Sequence, residues 1–235
     1  MLRKIEQENK LEKNPAPRVM FGIERGFHNF IPPEFGQDPI GYFEQHGNNI
    51  KPGEVQIDET GRVHEDPTAV KEMPVWTDNL GNELKTVGKR VNVKKGEIGK
   101  SGDPFYEYEI MKIVDEVGLP VIKPVAKVED QNTHLIIMEK GQGIGWFKKE
   151  ELELKEKGYT NKDIQRLKTQ AMKGMSKLKR EFNRAGIVRK WKLQDMIFDL
   201  DVENKKIIKI TPTDWERTKI DQEKLERYKK KLKNV

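Results

Sequence analysis

The spacing of apolar and polar residues divides the chain near Lys140 into a strand-rich first half and a helix-rich second half. Alternating apolar positions between polar turns are typical of strands that bury one face. Asp103-Pro104 opens a helix in the first half, with Asp as N-cap and Pro at the first helical position, and Gly118 ends it. The strand pattern predicts two hairpins, followed by single strands, at 54–64, 75–87, 91–94, 121–128 and 134–138.

After the connector Gly141–Gly145, apolar residues recur at spacings of three and four from 161 to 184, which predicts a long helix with one buried stripe. Thr160 and Asp163 form a variant of the capping box at its start. Two apolar strands around a polar turn follow, at Met196–Phe198 and Ile207–Ile210. A basic helix is predicted from 221 to the end.

Composition narrows the function classes only slightly. The 45 basic residues exceed the 39 acidic ones and give a net charge of +6, a weak bias that is compatible with nucleotide or nucleic acid. The absence of cysteine excludes disulfides and thiolate metal sites, and the four histidines lack metal-ligand spacing. No apolar run reaches membrane-spanning length, and the start is too polar for a signal peptide. We therefore expect an intracellular, cytoplasmic protein that does not bind membranes.

The predicted organisation is an α+β fold with a β-rich part and a helical part. A charged tail comes first, followed by a Gly- and Pro-rich β extension with the first hairpins. A segment with a strand, a helix and two strands follows, then the helical part and a basic terminal helix. The boundaries lie at 1–17, 18–84, 85–140, 141–220 and 221–235.

Two carboxylates flank the predicted hairpin of the second half. Asp195 immediately precedes its first strand, and Asp214 follows its second strand in the run Thr213-Asp214-Trp215-Glu216. Because oxygen ligands from one or two carboxylates suit a hard divalent cation, this hairpin is a candidate metal site.

The order of these elements from about 85 to 217 resembles the protein kinase-like superfamily, with an Asp-Trp-Glu metal loop like that of the aminoglycoside phosphotransferase branch. This resemblance implies a two-lobed fold with a short, truncated helical C-terminal lobe, and it implies ATP and Mg²⁺ as ligands. Lys94 in Val91–Lys94 would contact phosphate and pair with Glu107, or alternatively Glu109. The resemblance places Glu139 and Gly141 at the adenine-binding hinge, and Asp195 and Asp214 at the metal.

The chain departs from that family where transfer chemistry takes place. Aligning Arg189 with the arginine of H-R-D puts Lys190 at the catalytic aspartate and Lys192 at the loop lysine. The other alignment puts Trp191 at the aspartate, so in neither is a carboxylate present to accept a proton. In addition, no G-x-G-x-x-G precedes Lys94, and only 19 residues follow Glu216.

These departures leave three functional hypotheses, and whether the chain is an enzyme stays open. The favoured one is a pseudokinase that acts as a scaffold for a protein partner and binds a nucleotide. The second is an unusual active phosphotransferase in which Lys190 or Lys192 stabilises the transferring charge. The third, less favoured, is a basic structural or nucleic-acid-associated protein with Trp146 and Trp191 as stacking surfaces.

Overall fold

The computed structural model has an α+β fold built on one large antiparallel sheet. It describes residues 20–51, 55–57, 63–65, 68–92, 105–130, 133–145, 148–215 and 218–233. The six strands of the sheet lie in the spatial order β1-β9-β10-β8-β5-β2, and each pairs antiparallel with its neighbour. Their bounds are β1 Met20–Ile23, β2 Asn48–Lys51, β5 Thr68–Glu72, β8 Thr86–Asn92, β9 Pro124–Asp130 and β10 Thr133–Glu139.

Residues from the first 85 positions cover one face of this sheet. They form helices α1 (Pro33–Gln37) and α2 (Pro39–His46), and the hairpin β6 (Trp76–Thr77) with β7 (Glu83–Leu84). Phe35, Phe43 and Trp76 are fully buried there against sheet residues that include Leu135 and Ile137. A further hairpin, β3 (Val55–Ile57) with β4 (Val63–Glu65), lies in the same part of the chain.

Proline sets the starts of these two short helices. Each has proline at its first position, where the missing N–H would have no helical partner. Asp38 caps α2, because its carboxylate accepts a hydrogen bond from the Gly41 N–H at 2.9 Å. At the other end, Lys71 donates to the carbonyl oxygens of Phe43 and Glu44, where a cation complements the helix dipole.

The other face of the sheet packs against α3 (Tyr106–Glu116), and Ile136 of β10 belongs to one core cluster with residues of α3 and of the second half. The central helix is α5 (Asn161–Arg184), whose buried stripe has the predicted spacing of three and four residues. Its capping box is present: Asp163 N–H donates to Thr160 Oγ1 at 3.1 Å, and Thr160 N–H donates to Asp163 Oδ2 at 3.0 Å. Helix α4 (Lys148–Glu156) precedes it.

A two-stranded sheet, β12 (Met196–Asp201) with β13 (Lys206–Pro212), packs on α5. A short pair, β11 (Ile187–Val188) with β14 (Lys219–Ile220), connects the end of α5 to the last helix, α6 (Gln222–Leu232). The connector before α4 is tied to this hairpin, because Ile144 and Phe198 exchange backbone hydrogen bonds of 3.0 and 2.8 Å.

The α+β class and most predicted elements are confirmed, with three differences. Segment 18–84 contains the two helices α1 and α2, and its strands β1, β2 and β5 join the same sheet as β8 to β10. Helix α3 begins at Tyr106, with Phe105 at the N-cap. The predicted cap, Asp103-Pro104, lies outside the described residues, as does the 1–17 tail.

Candidate functional site

A largely buried ion pair between the sheet and helix α3 lies at the centre of the candidate site. Lys89 Nζ on β8 lies 2.5 Å from Glu107 Oε2 on α3. The two side chains are only 13% and 11% exposed. A charged pair withdrawn this far from water carries a desolvation cost that surface pairs do not have, so its position is a candidate for function.

Side chains point to alternate faces along β8, and this alternation determines the face on which Lys89 lies. Gly88 faces the α2 side, where a Cβ would lie 2.7 Å from the Phe43 ring. Its neighbour Lys89 therefore faces the opposite side, toward α3. There it lies directly across from Ile136 on β10, a residue of the core shared with α3.

Helix α3 presents two glutamates to the sheet, and they differ in burial. Glu107 lies one turn before the buried pair Ile110 and Met111, as the sequence predicts for the functional carboxylate. The alternative, Glu109, pairs with Lys127 of β9 at 2.6 Å, but those side chains are 42% and 37% exposed. The structure thus gives Glu107 the buried position and Glu109 a surface position.

Glu107 also connects the ion pair to the Asp214 segment. Its Oε1 accepts a hydrogen bond from the Trp215 backbone N–H at 3.4 Å. The preceding turn is tied to the other predicted metal ligand, since Thr213 N–H donates to the Asp195 carbonyl at 2.8 Å. Hydrogen bonds from backbone N–H groups therefore link Asp195, the Asp214 segment and Glu107.

Arg189 is a further charged member of this group. It is 7% exposed, and its guanidinium lies 4.6 Å from the centre of the Trp215 ring. Burial lowers the pKa of Arg189, and the nearby carboxylates Asp195, Asp214 and Glu107 oppose that shift. The sequence places Arg189 in the catalytic-loop alignment but does not indicate that it is buried among the carboxylates.

Lys190 and Lys192 follow Arg189 on the surface, and both are exposed. At these two positions the chain presents cations where proton abstraction needs a carboxylate or a neutral base. The structure therefore adds no general base at the residues that the sequence aligns with the catalytic loop.

Glu139 and Gly141 lie where the sheet passes into the connector. Burial raises the pKa of Glu139 at the end of β10, an effect that Lys123 opposes. Gly141 packs closely on the second half, because a Cβ there would lie 2.5 Å from Ile197 Cδ1. Both residues thus border the junction between the sheet and the β12–β13 hairpin.

The predicted phosphate-contacting residue, Lys94, lies outside the described residues. Lys89, the lysine that pairs with Glu107, is not among the residues predicted from the sequence. A signal for it exists: Val87 and Val91 lie two residues on either side, the spacing of one strand face. The prediction of Lys94 rests instead on the resemblance of Val91–Lys94 to the V-A-I-K strand of the kinase-like superfamily.

The carboxylates of the site determine which metal ion it would bind and how many other ligands that ion would need. Within the described residues, no group of three or more histidine, aspartate or glutamate side chains is arranged to hold a metal ion. Asp195 and Asp214 supply two carboxylates, and Mg²⁺ usually takes one or two from a protein and completes its shell with water and phosphate oxygens. Asp195 and Asp214 match that number of carboxylates.

Comparison with known proteins finds no matching family model and no significant match to a curated sequence. None of the helices in the described parts of the chain has the length and apolar character needed to cross a membrane.

Proposed function

We propose that this chain is a kinase-like pseudokinase that binds a nucleotide with Mg²⁺, does not transfer phosphate, and acts as a scaffold for a protein partner. The observation that carries the proposal is the buried Lys89–Glu107 pair, with Glu107 also accepting from the backbone beside Asp214. Protein kinases require such a pair between a strand lysine and a helix glutamate, next to a metal-binding aspartate.

Each part of the candidate site has a role in this proposal. Lys89, held by Glu107, neutralises phosphate charge, while Asp195 and Asp214 hold Mg²⁺. The backbone of the connector at Glu139 and Gly141 contacts the base. We prefer Lys89 to Lys94 for the phosphate role because Lys89 is the lysine paired with Glu107.

The residues of this site favour binding of a nucleotide over transfer of its phosphate. Positioning and charge neutralisation do much of the work in phosphoryl transfer, but a carboxylate normally orients the acceptor hydroxyl. Here Lys190 and Lys192 occupy the loop, and both are exposed cations. The proposal is therefore that a bound nucleotide stabilises a surface that a partner protein recognises.

Thermal unfolding with and without Mg²⁺–ATP tests the nucleotide site. At about 100 times its dissociation constant, ATP should stabilise the folded chain by about 2.7 kcal/mol. We expect Lys89→Met and Asp214→Asn to abolish the shift, each compared with its own ligand-free midpoint. Lys127→Met is the matched control, because Lys127 also pairs with a glutamate of α3 but on the exposed side, and its shift should persist.

Three outcomes would overturn parts of the proposal. Absence of an ATP shift in the wild type would exclude nucleotide binding. A shift abolished by Lys94→Ala but kept by Lys89→Met would move the phosphate role to Lys94. Transfer of radiolabelled γ-phosphate to the chain itself or to an added acceptor, lost in Asp214→Asn, would make the protein an active phosphotransferase.

A further inference from the structure

A basic groove with an apolar floor lies between helix α5 and strand β13. Its volume is about 560 Å³, and its apolar lining includes Leu178, Ile207 and Ile210. Gln170 links α5 to β13 in this groove, because its Oε1 accepts a hydrogen bond from the Ile207 N–H at 3.0 Å. Four lysines also line it: Lys173, Lys177, Lys206 and Lys209.

An isoleucine that lines this groove is exposed to solvent. Leu200 and Asp199 on β12 pair with Ile207 and Lys209 on β13, so Ile208 is an extra residue in a β-bulge. Ile208 is 63% exposed, although the sequence places it in an apolar strand. Because bulges redirect a side chain and are frequent beside functional sites, this exposure favours a contact role.

The positive charges of the groove lysines are not neutralised by close ion pairs. Lys177 lies 4.0 Å from Glu181, and Lys206 lies 3.5 Å from Asp201, distances typical of weak surface pairs. Within the described residues Lys173 forms no ion pair, and Lys209 forms none within 4 Å, although the carboxylates of Asp199 and Glu139 lie near enough to interact with it electrostatically. Helix α5 as a whole has eight basic and two acidic residues, so its surface has a positive field.

We propose that this groove binds an acidic, partly apolar peptide segment of a partner protein. Carboxylates of the segment would face the lysines, and its apolar side chains would contact Ile208 and the floor. The stretch of α5 from 170 to 178 is about 12 Å long, enough for about four residues of an extended peptide. Among the described residues that line the groove there is no aromatic side chain on which a base could stack, which favours a peptide over nucleic acid.

This inference names a surface for the scaffold role, but it does not depend on nucleotide binding. The groove lies along α5 and β13, whereas the nucleotide proposal rests on Lys89, Glu107 and Asp214. Charge reversal in the groove should therefore leave the Mg²⁺–ATP shift unchanged. Failure of one proposal is then distinguishable from failure of the other.

Fluorescence anisotropy of the full chain with a labelled heptapeptide, Asp-Leu-Glu-Ile-Asp-Leu-Glu, tests the groove. We expect binding that weakens about tenfold in Lys173→Glu/Lys177→Glu, because two attractions become repulsions. Ile208→Ser should also weaken it. The matched control, Lys179→Glu/Lys230→Glu, changes the net charge equally at exposed sites outside the groove and should bind like the wild type.

Three further measurements identify what occupies the groove. A heptapeptide of glutamate alone should bind more weakly than the mixed peptide, because it lacks apolar side chains. No binding of the mixed peptide, or equal weakening by both double variants, would overturn the proposal.

Tighter binding of a single-stranded oligonucleotide, lost in Lys173→Glu/Lys177→Glu, would assign the groove to nucleic acid. Self-association in sedimentation that is lost in the same variant, without peptide binding, would assign it to a second copy of the chain.

Discussion

Removing Lys89 should destabilise the fold far more than removing an exposed lysine. Lys89→Met leaves Glu107 as a carboxylate that is 11% exposed and has lost its ion-pair partner. Breaking a buried pair by removing one partner typically costs about 3–5 kcal/mol. Because some exposure remains, we expect about 3 kcal/mol. For a chain of this length, that lowers the midpoint of thermal unfolding by about 6–12 °C.

The same reasoning predicts what happens when both partners are removed. Replacing a buried ion pair with apolar residues of similar volume is often neutral or stabilising. Lys89→Met/Glu107→Leu should therefore recover most of the loss. The recovery should be incomplete, because Glu107 also accepts the Trp215 N–H, which would lose its acceptor.

A double-mutant cycle measured by urea unfolding checks this prediction. Tryptophan fluorescence is a suitable signal, since Trp76 and Trp215 are buried on opposite faces of the sheet. The parallel cycle, Lys127→Met with Glu109→Leu, should give a coupling of at most about 1 kcal/mol, as exposed pairs do. If Lys89→Met costs no more than Lys127→Met, the central pair is not the buried interaction that our argument requires.

Three more predictions concern the loss of stability at low pH, the charge of Asp199 at neutral pH and the packing of the sheet. Hydrogen bonds from Thr160 hold the pKa of Asp163 below its usual range, so its stabilisation is complete above about pH 4 and is lost as the pH falls. Asp163→Asn should flatten the decline in urea midpoint from pH 5 to pH 2; an unchanged slope would contradict this. Burial raises the pKa of Asp199, so its charged form destabilises the fold at neutral pH. Asp199→Asn should therefore raise the thermal midpoint at pH 7 but not at pH 3, and an equal effect at both values would refute the reasoning. Gly88→Ala places a Cβ 2.7 Å from the Phe43 ring and should cost about 1–3 kcal/mol by denaturant unfolding; an unchanged midpoint would show that α2 can shift.

Elements with strong local signals could be predicted from the sequence. Helix α5 has both a capping box and a stripe of apolar residues from Ile164 to Phe182, so its bounds match those predicted. The β12–β13 hairpin likewise follows from two apolar runs around a polar turn. In such segments the local pattern and the tertiary packing require the same conformation, so the pattern alone suffices.

Helices α1 and α2 could not be predicted in this way. With five and eight residues, they are too short to be stable alone. Their stability comes from Phe35 and Phe43, which are buried against the sheet and the β6–β7 hairpin. Strands distant in sequence form that surface, so a Gly- and Pro-rich segment gives no local indication of it.

The candidate site shows the same division between local and non-local information. Glu107 could be predicted because its helix has buried residues three and four positions later, a pattern within one element. The lysine is indicated less clearly: the spacing of Val87 and Val91 places Lys89 on one strand face, but which face meets α3 is set by pairing with β5 and β10. The Gly88 contact with Phe43 fixes the face for Lys89. Because Lys89 is the lysine paired with Glu107, the proposed nucleotide site predicts that the ATP shift is lost in Lys89→Met and persists in Lys94→Ala.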